Sequence, residues 1–156
     1  GPSGDSWAPT LFARDKLLNF IRDENISGVL LMSGDTHQGE LNCIPWSSKG
    51  GYDFYEFVSS PLAQGTSRQL QRKIPEIYIR EWYNDNPNFG YMVFDLREED
   101  PVMRYILVDV SGDTVDEWFE IRASELVNGI ESWPGKISES EQMKLTYDMY
   151  PDISPE

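Results

Sequence analysis

The sequence predicts an α/β fold that closes on an antiparallel β-meander, and three stretches carry that expectation. A helical repeat over residues 10–23 runs through a short turn into an apolar run, Gly28–Ser33. An alternating aromatic stretch follows at Tyr52–Ser59, and three β-rich runs separated by turns fill residues 91–121. At 156 residues the chain is one domain or a piece of a larger one. Its 39% hydrophobic content is enough to form a core and argues against disorder.

Each element has its own signal. Pro2, Gly4 and Pro9 make residues 1–8 a loop. Leu11, Leu17, Leu18 and Ile21 then recur near helical spacing, with Thr10 or Pro9 as the start and Asn25 as the end. Gly28–Ser33, short and bounded by glycines, suits a strand buried on both faces. Trp46–Gly51 is a turn-rich connection. In Tyr52–Ser59, Tyr52, Phe54 and Glu56 face one way and Asp53, Tyr55 and Phe57 the other, so both faces expect cover. Pro61 ends that strand because it cannot donate to a ladder. Gln64–Lys73 suits a short polar helix, Ile74–Trp82 an extended segment, and Asn84–Gly90 a polar loop. Tyr91–Leu96, Val102–Val110 and Val115–Ile121 form the meander, broken at Arg97–Pro101 and turned at Ser111–Thr114. A helical turn at Ser124–Asn128 and a short helix at Ser138–Tyr147, capped by Ser138 or Ser140, complete the chain.

Bulk charge narrows the partners. With 13 basic and 27 acidic residues the net charge is −14, which argues against nucleic acid or an anionic membrane as partner. Any phosphate-bearing substrate needs a metal or local arginines to overcome the repulsion. The single cysteine, Cys43, excludes an internal disulfide framework and suits a buried packing thiol better than a ligand. No apolar run approaches the ~20 residues of a membrane span. The sequon Asn25-Ile26-Ser27 has weight only in a secretory setting, and compartment otherwise stays open.

The chemistry-bearing stretch is Ser27–Leu41, SGVLLMSGDTHQGEL. It stops a strand at Gly34 and presents Asp35 and His37, the chain's one histidine, on the loop beyond. Sheets of this class place their sites just past the carboxyl ends of strands. An oxygen donor and a nitrogen donor so spaced suit a divalent or trivalent metal if other segments complete the shell. Nearby Glu40 reads as a solvated carboxylate rather than as support for a ligand. Asp109, Ser111, Asp113 and Asp116 lack the glycine and closing glutamate of a calcium loop and read as a hairpin turn.

Four ordered segments give a family likeness over about residues 5–120: Asp5-Ser6-Trp7 with Arg14; Val29–Ser33 into Gly34-Asp35-Thr36-His37; Tyr55–Leu62; and Asn88-Phe89-Gly90 followed by Asp109–Gly112. The chain resembles the C-terminal part of PhoD-like (alkaline phosphatase D-like) metallophosphatases, within the metallophosphoesterase superfamily. That resemblance implies the C-terminal half of an αββα sandwich with metal ions between its sheets, iron with calcium or another divalent ion. It implies hydrolysis of phosphate monoesters or diesters by metal-activated water. Asp35 and His37 inherit metal ligation, His37 sits at the catalytic centre, and Arg14 and Trp7 become candidates for substrate contact. For Arg14 and Trp7 the competing reading is packing and ion pairing.

The superfamily's upstream ligand motifs, an aspartate-rich first strand and GD- and GN-type loops, do not occur in these residues. The chain alone is therefore expected to be inactive, with the N-terminal portion of the phosphatase as its partner, whether a separate chain or a missing segment. The alternative is a non-catalytic interaction domain that keeps half the fold. Residues 1–128 are expected to form the phosphatase portion and 129–156 an extension.

Overall fold

A computed structural model of the chain describes residues 7, 10–66 and 77–137. Helix α1 spans Leu11–Asp23, with Thr10 at its N-cap position and Asn25 beyond its end at φ 53°. Asparagine tolerates that left-handed conformation better than most residues. The stripe α1 buries is Arg14, Leu18 and Ile21, spaced four and three residues apart on one face. Leu11 and Leu17, expected in that stripe, are exposed, as are Phe12 and Phe20. Leu17 stands one residue, ~100° of helix rotation, away from Leu18, and Leu11 lies in the first turn.

Seven strands among the described residues make two sheets. The first contains β1 (Leu31–Ser33), β2 (Gly39–Ile44), β3 (Phe54–Val58) and β4 (Tyr78–Tyr83) in the spatial order β1-β3-β2-β4. β1 runs parallel to β3, whereas β2 is antiparallel to both β3 and β4. The second sheet is the expected meander: β5 (Asn88–Asp95), β6 (Val102–Asp109) and β7 (Thr114–Arg122), antiparallel in sequence order. Among the described residues the fold is thus mixed α/β, one α-helix with two small sheets.

Two expectations need correction, and one strand was not expected. Gly28–Ser33 is not a strand buried on both faces: only Leu31–Ser33 pair, at an edge, and Met32 is 74% exposed. The preceding residues are held otherwise, by Val29 N–H donating to Tyr52 Oη (3.1 Å) and Gly28 N–H to the Leu126 carbonyl (2.9 Å). Gly39–Ile44, for which no element was expected, is a fully buried inner strand of its sheet. Asn88–Gly90 begin β5 instead of forming the turn before it. The helix expected over Ser138–Tyr147 lies outside the described residues, as does most of that over Gln64–Lys73.

Register decides where the core sits. Leu41 pairs with Phe57 and Cys43 with Tyr55, placing these four on one face of the first sheet. There Phe57 meets Tyr105 at 4.6 Å between ring centroids, and Tyr55 meets Phe119 at 5.3 Å, joining the two sheets. Tilted aromatic pairs of this kind add about 0.5–1.5 kcal/mol beyond the area they bury. On the opposite face Ile44 and Phe54 are buried in the same cluster that receives Leu18 and Ile21 from α1. Cys43 is a packing thiol as expected, fully buried, with burial and then Asp53 pushing its pKa far up. Within the second sheet Gly90 makes room for the Tyr105 ring of the neighbouring strand, since a Cβ there would stand 2.6 Å from it.

Residues 129–137, beyond the boundary expected near 128, pack on this core through Ile137. The buried Asp53 carboxylate accepts from the Ser132 and Trp133 backbone N–H groups at 2.7 and 2.9 Å and from Ser47 Oγ at 2.5 Å. A buried carboxylate so supplied with donors is a stable structural anchor.

The turn between β6 and β7 is the expected hairpin, not a calcium loop. Asp109 accepts from the Ser111 hydroxyl and from the Ser111 and Asp113 N–H groups, and Gly112 takes φ 91°. The Ser111 hydroxyl first, helped by these N–H groups and the Tyr83 hydroxyl, lowers the Asp109 pKa to about 2. A depressed carboxyl pKa stabilises the fold above the unfolded value, ~3.9 for aspartate, and that contribution fades as pH falls toward the folded value. Asp109→Asn is therefore less stable than wild type at pH 7, with the gap closing between about pH 4 and pH 2. Denaturant midpoints measured across that range check this.

Candidate metal-binding loop

The loop Gly34–His37 leaves the carboxyl end of β1 and enters β2 at Gly39, as expected for a site beyond a strand end. Asp35 is exposed and His37 half-buried. Both adopt left-handed backbone, at φ 65° and 60°. Aspartate and histidine enter that region more readily than most residues, yet each pays about 1 kcal/mol to do so. Such strain persists where surrounding contacts enforce it, and it concentrates at ligand sites.

Those contacts are specific. The His37 N–H donates to Ser60 Oγ at 2.8 Å, and the ring Nδ1 lies 2.8 Å from the Gly65 carbonyl. A carbonyl only accepts, so the proton belongs on Nδ1, and in the neutral ring Nε2 then keeps its lone pair. Fixing the tautomer through the other ring nitrogen is how proteins ready a histidine for a metal. Gly34 allows the loop to approach the neighbouring segment: a Cβ there would lie 3.3 Å from the Ser59 carbonyl oxygen. Ser60 and Pro61 are in turn gripped by Asn88. Its Nδ2 donates to the Ser60 carbonyl (3.1 Å) and its backbone N–H to the Pro61 carbonyl (2.7 Å).

The other candidates stand differently. Trp7 is 41% exposed, with its carbonyl accepting from Thr10 N–H. Arg14 is 2% exposed; its Nε and Nη2 donate to Asp15 at 2.9 and 2.8 Å, and its guanidinium carbon lies 5.9 Å from the Trp46 ring centroid. These contacts are those of a packed, ion-paired side chain. Glu40 corrects its expectation outright: it is 1% exposed, not solvated, because β2 carries it inside. Ser60 and Gly65 escaped the sequence reading altogether, since nothing local marks them as partners of His37.

Asp35 and His37 fit a metal as two members of a donor set. Among the described residues no group of three or more His, Cys, Asp or Glu gathers that could hold a metal ion.

The family profile of the PhoD-like phosphatases matches residues 2–105, about two thirds of the chain. This chain belongs to the PhoD-like phosphatase family. The match takes in α1, the whole first sheet and the Gly34–His37 loop. Searches of curated proteins and of solved structures returned no match. PhoD-like phosphatases are in general metal-dependent, and their class of reaction is phosphate-ester hydrolysis.

The Ser60 hydroxyl is the one described acceptor for the His37 amide. Ser60→Ala is expected to speed hydrogen exchange at that amide about tenfold, the equivalent of a lost hydrogen bond near 1.4 kcal/mol. Unchanged protection in an exchange experiment would mean the loop is held by other contacts.

Proposed function

We propose that the chain is the C-terminal part of a metal-dependent phosphatase or phosphodiesterase, with Asp35 and His37 as metal ligands. The observation that carries this reading is the His37 ring, anchored through Nδ1 on Gly65 with Nε2 left as a donor, on a strained loop at a strand end. Metal ions held there supply Lewis acidity and an activated water for in-line attack on phosphorus. The work of this chain's own residues is positional. Ser60 and Gly65 fix His37, and exposed Asp35 shares its left-handed backbone two residues earlier, so the loop is shaped before substrate arrives.

In this reading the two sheets belong to half of an αββα sandwich, and the N-terminal portion of the same phosphatase, as upstream segment or separate chain, supplies the missing ligands. Two or more metal ions, iron with calcium or another divalent ion, then lie between the halves. The apolar surfaces support such a partner: Phe12 is 83% and Phe20 55% exposed on α1, and Met32 lies open on the edge strand β1. Soluble domains seldom leave such surface uncovered. Trp7 and Arg14 remain on the substrate side of the proposal, with Arg14 having to leave Asp15 before meeting phosphate. A non-catalytic interaction domain would use the same surfaces without needing His37.

His37 therefore separates the two readings. In protein that includes its upstream portion, His37→Ala should lower hydrolysis of an aryl phosphate about a hundredfold or more and reduce bound metal. A variant with wild-type rate and full metal content would refute the ligand assignment.

A further inference from the structure

Asn88, the first residue of β5, is 1% exposed and bears on the support of His37 and on the exit of its loop. Its Nδ2 donates to the Ser60 carbonyl at 3.1 Å and to the Asn86 carbonyl at 3.2 Å, and its backbone N–H donates to the Pro61 carbonyl at 2.7 Å. Ser60 in turn accepts the His37 N–H on its hydroxyl at 2.8 Å. At the other end of the loop stands Gly39, the first residue of β2. A Cβ there would lie 3.2 Å from Asn88 Oδ1 and 2.6 Å from a Leu107 methyl. One side chain thus faces both the residue that holds His37 and the residue through which the loop enters the sheet.

The amide has a single orientation. Both acceptors of Nδ2 are carbonyls, which cannot donate, so reversing the amide would set its oxygen against two oxygens. The orientation it takes leaves Oδ1 buried with no hydrogen-bond partner among the described residues. An unpaired buried oxygen offsets part of what the two donated bonds contribute to stability. What Asn88 supplies without that offset is placement.

Asn88 enters the corner from a well-tied element. Its register partner on β6 is Asp109, whose Oδ2 accepts from Tyr83 Oη at 3.1 Å and from Asn86 Nδ2 at 3.3 Å. The Val110 N–H donates to the Pro87 carbonyl at 2.9 Å, so the two residues just before Asn88 are fastened to the end of β6. Ligand geometry is most precise when its supports are themselves locked on regular structure.

We propose that Asn88 is a positioning residue for the metal site: acting through Ser60, it keeps His37 in its left-handed backbone and its ring on the Gly65 carbonyl. The inference rests on the reading of His37 as a ligand and adds the residue that holds it ready. Asn88 acts only through its neighbours and takes no part in the chemistry.

The single histidine makes the test spectroscopic. In the metal-free full chain at pH 8, a long-range proton–nitrogen correlation spectrum should show the wild-type imidazole protonated on Nδ1. Asn88→Ala should turn this into a tautomer mixture like that of free imidazole. The His37 amide of that variant should also lose at least about tenfold in exchange protection relative to its own core amides. Ile121→Val, a truncation of the buried core in β7, controls for lost stability and should keep the wild-type tautomer. If Asn88→Ala does not fold by near-ultraviolet circular dichroism, Asn88→Ser replaces it, with a shift in the same direction. The proposal is overturned if the folded Asn88 variant keeps both the tautomer and the protection, or if Ile121→Val shifts the tautomer equally. A wild-type ring without its proton on Nδ1 would remove the ligand reading and this one together. A wild-type ring as expected beside an unmoved variant would refute the positioning role alone.

Discussion

The corner at Ser60-Pro61 is the constraint on which the site depends. Its hydroxyl takes the His37 amide, and its two carbonyls take the Asn88 side chain and backbone. One short segment thus couples the end of β3, the Gly34–His37 loop and the first residue of the meander. Without it, His37 would have little reason to hold a left-handed backbone, and the loop would relax toward ordinary geometry. The sheet interface reinforces the same corner, because Phe57, three residues earlier, packs on Tyr105 and Phe119.

Buried carboxylates show how differently this acidic chain handles charge in its interior. Asp53 is fully supplied by backbone and hydroxyl donors and ties residues 132 and 133 to the core. Asp109 is supplied in the same manner by its own turn. Glu40 and Glu56 instead both accept from one amide, Asn42 Nδ2, at 3.0 and 3.2 Å.

Much of the fold was legible in the sequence, for reasons that can be named. The meander announced itself through long β-rich runs and a Ser-Gly-Asp turn, and β3 through aromatics alternating on both faces. β2 was missed although Glu40-Leu41-Asn42-Cys43 alternates with period two between Gly39 and Pro45. Glu40 reads as solvated from its charge alone, and tertiary burial overrides that local cue. β1 was read as doubly buried because an apolar run looks alike at an edge and at a centre. At the site, Asp35 and His37 stood out as residue types, but their anchors Ser60 and Gly65 lie 23 and 28 residues beyond His37. No local pattern reports contacts that only the fold creates.

The central claim is that His37 is held with its proton on Nδ1 and Nε2 open to a metal. The most direct measurement is a long-range proton–nitrogen correlation spectrum of the imidazole, free of overlap because the chain has one histidine. In metal-free protein at neutral pH, the account predicts the Nδ1-protonated tautomer, with the Nε2 resonance moving on addition of metal. An Nε2-protonated ring, or rapid exchange between tautomers as in a free imidazole, would contradict it.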